Sequence, residues 1–252
     1  MSRLPLDLAA RVRAGERLVG ALVRLPCEEI VEMLAVAGHD FVLLDCEHGP
    51  ADVTVLRAHI ALAQVHGVEV VVRVGEGERA LILRALDAGA SGILAPHVDT
   101  PEQARDLVAA CHYPPLGERG FATYGRAGGY GNVSAADHKA RYARGTLVLA
   151  MPESPASAAN ADAIMAVDGL DGYMIGVADL AASSGPGDPT PEESCRRIHA
   201  AGRAGGKARL DIVGSRARAA AALEDGAQVV VYNLTSVLME AFTDLTRPTD
   251  TD

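Results

Sequence analysis

The sequence predicts a single (β/α)8 barrel, the TIM-barrel class of α/β folds, with residues 1–252 forming one domain. Three observations carry that prediction. The chain has 252 residues, the usual length of one such barrel. Short β-branched runs alternate with Ala/Leu-rich stretches along almost the whole length, and this alternation implies a parallel sheet with crossover helices. Eight such units suit a closed barrel better than the doubly wound open sheet that the same pattern also permits.

Taken in order, the first strand is expected at residues 18–25, followed by a helix at 27–36. The second strand covers 41–44 and ends at Asp45, with its helix at 53–65. The third spans 68–74, where VEVVVRV is nearly all apolar, followed by a helix at 79–86. The fourth is 92–95, with a helix at 101–111. Strands at 147–151, 172–175, 208–213 and 228–232 complete the set, with helices at 156–165, 215–223 and 236–245. Residues 113–132, YPPLGERGFATYGRAGGYGN, are too rich in Gly, Pro and Tyr for a regular element and read as a long functional loop. Residues 246–252 read as a polar, frayed tail.

Composition narrows the function classes. The chain is 49% hydrophobic and 22% charged, hence globular, and its 4% aromatic content leaves a core of Ala, Val, Leu and Ile. A net charge of −10 without a basic stripe excludes nucleic acid as a partner. An anionic substrate must then be drawn in by a metal ion or by individual arginines such as Arg24, Arg73 and Arg119. Residues 1–15 contain no apolar leader segment, and no run of about 18 apolar residues occurs, so a cytoplasmic protein without a membrane partner is expected. Cys27, Cys46, Cys111 and Cys195 lack C-x-x-C spacing and read as reduced thiols.

In a barrel the C-terminal ends of the strands face the active site. Asp45, Glu47 and His48 in DCEHGP, Arg73, Glu153 and Asp179 occupy such ends. Glu153 and Asp179 could converge on one hard divalent cation with open positions, Mg²⁺ first and Mn²⁺ or a related ion next. A surface loop acid at Glu153 and a helix N-cap at Asp179 are the alternative. His48 suits a general base oriented by Asp45, or a solvated loop histidine. Arg73 at the end of a buried strand needs an anion, which could be substrate, Asp45 or Glu47. The Gly-rich loop fits neither phosphate-binding motif.

The runs VEMLAVAGHDFVLLDCEHGP, VVVRV, LRALDAGASGILAPHVDTPEQA, YPPLGERG, ESPASAANADAIMAVDGLDGYMIG and ADLAASSG resemble the HpcH/HpaI aldolase family, in that family's order, over residues 20–185. The resemblance implies a (β/α)8 class II aldolase that uses a divalent metal (Mg²⁺, with Mn²⁺ or Co²⁺ as alternatives). Such a lyase cleaves 4-hydroxy-2-keto acids into pyruvate, or a related 2-keto acid, and an aldehyde. By the same resemblance Glu153 and Asp179 are metal ligands, Arg73 binds the ketone oxygen, His48 is the acid/base and Asp45 supports the site. Asp87 in LDAGA resembles an aspartate that reaches in from a neighbouring subunit. Backbone amides of Gly176, Val177, Ala178 and Asp179 would hold the substrate carboxylate. A homo-oligomer, trimer or hexamer, is implied. The chain departs from the family pattern in Met151-Pro152-Glu153 at the first ligand and in Val177, where proline is common. Oxaloacetate decarboxylation, biosynthetic carbon–carbon bond formation and a catalytically weakened keto-acid-binding subunit are the other readings of the same scaffold.

Overall fold

Eight parallel strands close on themselves in sequence order, which settles the barrel against the open sheet. The computed structural model describes residues 7–49 and 52–246; the expected polar tail lies outside them except for its first residue, as do residues 1–6 of the expected leaderless start. The strands are β1 (Leu18–Val23), β2 (Phe41–Asp45), β3 (Glu69–Arg73), β4 (Gly92–Ala95), β5 (Leu147–Ala150), β6 (Gly172–Met174), β7 (Ala208–Val213) and β8 (Val229–Asn233). Each pairs with its neighbours in parallel, and β8 returns to β1 with Leu22 opposite Asn233.

Twelve helices are described: α1 (Leu8–Arg13), α2 (Glu28–Val36), α3 (Val53–Val65), α4 (Arg79–Ala88), α5 (Pro101–Cys111), α6 (Ala135–Gly145), α7 (Pro155–Ala159), α8 (Ala161–Met165), α9 (Val177–Ser183), α10 (Pro191–Ala204), α11 (Arg216–Glu224) and α12 (Leu234–Thr246). Helices α1, α6, α9 and α10 go beyond the helices expected from the sequence, and the stretch expected as one helix at 156–165 is broken at Asn160. The long loop after α5 carries a short 3₁₀ turn at Arg126–Gly131. No helix among the described residues is long and apolar enough to cross a membrane.

Side-chain alternation along the strands builds two cores. Leu18, Leu22, Phe41, Leu43, Val71, Leu149, Leu210, Val229 and Val231 fill the barrel interior. Ala21, Val42, Val70, Val72, Ile93 and Val148 pack outward against the helices. Gly20 makes the interior possible, because a Cβ there would meet the Phe41 ring at 2.4 Å. Helix α1 closes the floor with Leu8, Ala9 and Val12. Its start is held by buried Glu69, whose Oε1 accepts the N–H groups of Asp7 at 3.0 Å and Leu8 at 2.6 Å. Burial pushes the Glu69 carboxyl up to about 7.

The same period of two decides what reaches the mouth. Glu69, Val71 and Arg73 share the inward face of β3, as do Phe41, Leu43 and Asp45 on β2 and Val229, Val231 and Asn233 on β8. Arg24, just beyond β1, continues the face of Leu18 and Leu22. Strand β1 stops two residues short of the expected end, which leaves Arg24 in the mouth and outside the sheet.

Candidate active site

Asp45 is the hub of the mouth. In register it stands opposite Arg73, whose Nε donates to Asp45 Oδ1 at 2.9 Å and whose Nη2 donates to Oδ2 at 2.5 Å. Arg24 Nε donates to the same Oδ2 at 2.6 Å, and its Nη1 donates to Asn233 Oδ1 at 3.3 Å. Burial disfavours the Asp45 carboxylate, but the two guanidinium groups and the His48 N–H together hold its pKa below the ordinary range. Arg73 also lies 3.3 Å from Glu47 Oε2. Its Nη1 has only the Met151 sulfur, at 3.9 Å, among the described residues. A buried guanidinium fixed on one edge by a carboxylate fork therefore turns its other N–H pair toward the cleft.

His48 is differently placed from the sequence-based expectation. Asp45 Oδ1 accepts the backbone N–H groups of Glu47 and His48, each at 3.2 Å, so Asp45 orients the loop and not the imidazole. The ring is 57% exposed, with Glu47 Oε2 4.0 Å from its Nε2.

Glu153 is 2% exposed. The backbone leaves β5 still paired to the exit of β4, with Met151 N–H donating to Ala95 O and Val98 N–H to Met151 O. Ser154 then caps α7, with Pro155 in the first turn. Glu153 is thus fixed between an extended exit and a capped helix, and Pro152 costs no ladder bond there. Glu153 Oε1 accepts the N–H of His97 at 2.6 Å, with His97 Nδ1 at 3.4 Å. His97 holds the left-handed φ of 52°, a strained conformation for a side-chain-bearing residue. Glu153 Oε2 has no donor among the described residues and faces Gly176, where a Cβ would lie 2.0 Å away. Burial, with the nearby Glu47 and Asp179 carboxylates, pushes Glu153 up to about 7 despite the His97 N–H.

Asp179 lies in the first turn of α9, with Gly176 at the N-cap, so it is not the cap itself. Val177, Ala178 and Asp179 carry first-turn N–H groups, which have no acceptor inside a helix. Val177 takes the first helical position, where proline is favoured but not required. These residues, Arg24, His48, Arg73 and Asn233 line one cleft of roughly 710 Å³.

Arg119 and Asp87 sit elsewhere. Arg119 is buried in the outer layer, with Nη2 2.7 Å from Asp87 Oδ1 and the guanidinium over the Tyr113 and Tyr142 rings at 4.9 and 4.7 Å. It therefore anchors the long loop and is not free to draw substrate, contrary to the sequence-based expectation. Asp87 does not join Arg73 and Glu153 within this chain. His97 and Asn233 were missed by sequence reasoning. A polar residue at an inward strand end was the available signal for Asn233, whereas nothing in the residue type announces the backbone strain at His97.

The model of the HpcH/HpaI aldolase/citrate lyase family matches residues 22–238. The chain belongs to that family. As an HpcH/HpaI protein it is a carbon–carbon lyase, since both activities in the family description break such bonds. It is 39% identical over 209 residues to the 2-keto-3-deoxy-L-rhamnonate aldolase of Salmonella gallinarum, covering 79% of this chain and 78% of the relative. An HpcH/HpaI aldolase/citrate lyase family protein from Burkholderia cenocepacia superposes with a TM-score of 0.87 at 32% identity, covering 95% of this chain and 97% of that one. The HpcH/HpaI aldolase of Desulfitobacterium hafniense gives 0.85 at 26% identity, covering 97% and 98%.

Among the described residues no group of three or more His, Cys, Asp or Glu side chains converges as a ready-made ion site. The donor set still fits a hard cation with open positions. A buried carboxylate with one undonated oxygen, crowded by two further carboxylates, is relieved by positive charge.

Proposed function

We propose that this HpcH/HpaI enzyme is a class II aldolase that cleaves, and in reverse forms, a 4-hydroxy-2-keto acid from pyruvate or a related 2-keto acid and an aldehyde. The observation that supports this reading is Arg73, fixed by Asp45 with its Nη1 turned to the cleft that Asp179 and His48 line. Glu153 and Asp179 are the residues that would hold a divalent ion, Mg²⁺ in the first instance, which when bound supplies positive charge to polarise the 2-keto group.

The protein's own groups divide the remaining work. First-turn amides at Val177–Asp179 receive the substrate carboxylate. His48 takes the proton of the C4 hydroxyl; the C3–C4 bond breaks as the C4 carbonyl forms, and the electron pair passes into the keto acid as its enolate. Arg73 Nη1 donates to the oxygen on which that charge grows, so its contribution is larger in the transition state than in the ground state. Proton return to C3 completes the keto acid. The four cysteines, all unpaired, accord with a cytoplasmic enzyme, and the single closed barrel accords with one domain. A homo-oligomer that brings Asp87 to a neighbouring site completes the reading.

Chelation tests it. Enzyme treated with EDTA should lose pyruvate release from 4-hydroxy-2-keto acids and regain it with Mg²⁺, Mn²⁺ or Co²⁺. Activity indifferent to chelation would overturn the metal assignment.

A further inference from the structure

Behind the mouth, in the layer between the barrel and its helices, one buried side chain stands out. His59 of α3 is 4% exposed, yet its Nε2 has no hydrogen-bond partner among the described residues. The other buried positions of α3 are the aliphatic Leu56, Ile60 and Ala63. An aliphatic side chain would fill the same place without stranding a polar atom, so the imidazole calls for a small polar ligand. Burial pushes the His59 pKa down, which keeps the ring neutral at physiological pH and leaves Nε2 as either donor or acceptor.

Such a ligand has a place to sit. His59 is one wall of a cavity of about 20 Å³, and roughly 10–15 Å³ is enough for a single water molecule. Further walls are Arg24, Leu25 and Pro26, which follow β1, and Asp45 and Cys46 at the end of β2. They bring peptide groups and the Cys46 thiol, which burial keeps protonated by pushing its pKa up to about 11. An imidazole nitrogen, a thiol and peptide groups suit a buried water, which takes roughly two to four polar partners; a purely aliphatic cavity would stay dry.

Cys46 follows Asp45 in the turn that carries Glu47 and His48. On the mouth side this turn is fixed, because Asp45 Oδ1 accepts the Glu47 and His48 N–H groups and Arg73 O accepts that of Cys46 at 2.8 Å. Its other side rests on the cavity.

We propose that His59 Nε2 holds one ordered water in this cavity, and that imidazole and water together brace the Asp45–His48 turn from behind. His59 is a positioning residue in this assignment: it does not line the cleft and acts on the chemistry through the turn. Its effect on turnover rests on the aldolase reading; the brace itself does not.

The test uses the full chain. A crystal structure of the wild-type protein at about 1.5 Å should show a water within roughly 3.2 Å of His59 Nε2. Amide hydrogen exchange by NMR then compares His59→Leu, which fills the place with apolar atoms, with His59→Gln, whose amide reaches about as far as Nε2. In His59→Leu the Glu47 and His48 amides should exchange at least about fivefold faster, while those of Leu149 and Tyr173 stay within about twofold; His59→Gln should stay within about twofold throughout. The loosened turn should also lower kcat for pyruvate release about three- to tenfold in His59→Leu at nearly constant KM, with His59→Gln restoring it. A wild-type crystal with no water at Nε2 overturns the proposal, whether or not His59→Leu folds. Exchange unchanged at Glu47 and His48, or accelerated equally across the barrel, overturns the bracing role. A wild-type enzyme that releases no pyruvate from any 4-hydroxy-2-keto acid, with the water and the local exchange pattern in place, would instead count against the aldolase reading alone.

Discussion

Replacing Gly176 by alanine puts a methyl carbon 2.0 Å from Glu153 Oε2, 2.8 Å from its Cβ and 3.0 Å from its Cδ. Non-bonded contact requires well over 3 Å, so the carboxylate must retreat by more than about 1 Å. Glu153 has little room to do so, because Oε1 is bound to the His97 N–H and the backbone is fixed by Met151 and the α7 cap. Misplacement of about 1 Å at a reacting centre costs roughly 100-fold in rate, or about 3 kcal/mol of transition-state stabilisation. The same displacement should weaken divalent-ion binding by about 10- to 100-fold, while overpacking lowers global stability by only about 1–3 kcal/mol. Steady-state kcat/KM, calorimetric ion affinity and a urea titration separate the three effects. A Gly176→Ala protein with kcat/KM and ion affinity within threefold of wild type would refute the inference that close packing at Gly176 positions Glu153.

Arg73→Lys keeps the charge but removes the fork on Asp45 and the Nη1 donor; kcat/KM should fall by about 10²–10³, and a loss under threefold would remove Arg73 from the chemistry. His97→Val should destabilise the fold by about 1–2 kcal/mol in urea, because a β-branched residue resists the left-handed backbone, whereas His97→Gly should stay within about 1 kcal/mol of wild type; equal losses in the two would exclude strain as the cause. Glu69 has a folded-state pKa of about 7, above its ordinary 4.5, so its protonated form favours the fold. That contribution is full below about pH 4.5 and lost as pH rises through 7, and Glu69→Gln should remove about 3 kcal/mol of the stability difference between pH 5 and pH 8. Unfolding curves that keep the same pH dependence in the variant would refute it.

Periodicity made the barrel legible, because parallel strands buried on both faces must be apolar runs and their crossovers must be helices. Helix α10 was equally readable, since Thr190-Pro191-Glu192-Glu193 forms a capping box with proline in the first turn, but its polar face hid the pattern. Helix α1 is only six residues long and is held by Glu69, a contact 61 positions away, so local sequence could not specify it. At the site, Asp45 and Arg73 stood out as polar residues at inward strand ends, and Glu153 and Asp179 as acids in the segments that follow β5 and β6. The division of Arg73 between Asp45 and the cleft depended on side-chain geometry. So did the loss of Arg119 to Asp87, and the crowding of Glu153 by Gly176.

Strand β3 has a further consequence. Five residues carry on one face the latch for the floor helix, an interior plug and the arginine at the mouth, so a one-residue slip would disable all three together. Selection therefore has little freedom inside this strand.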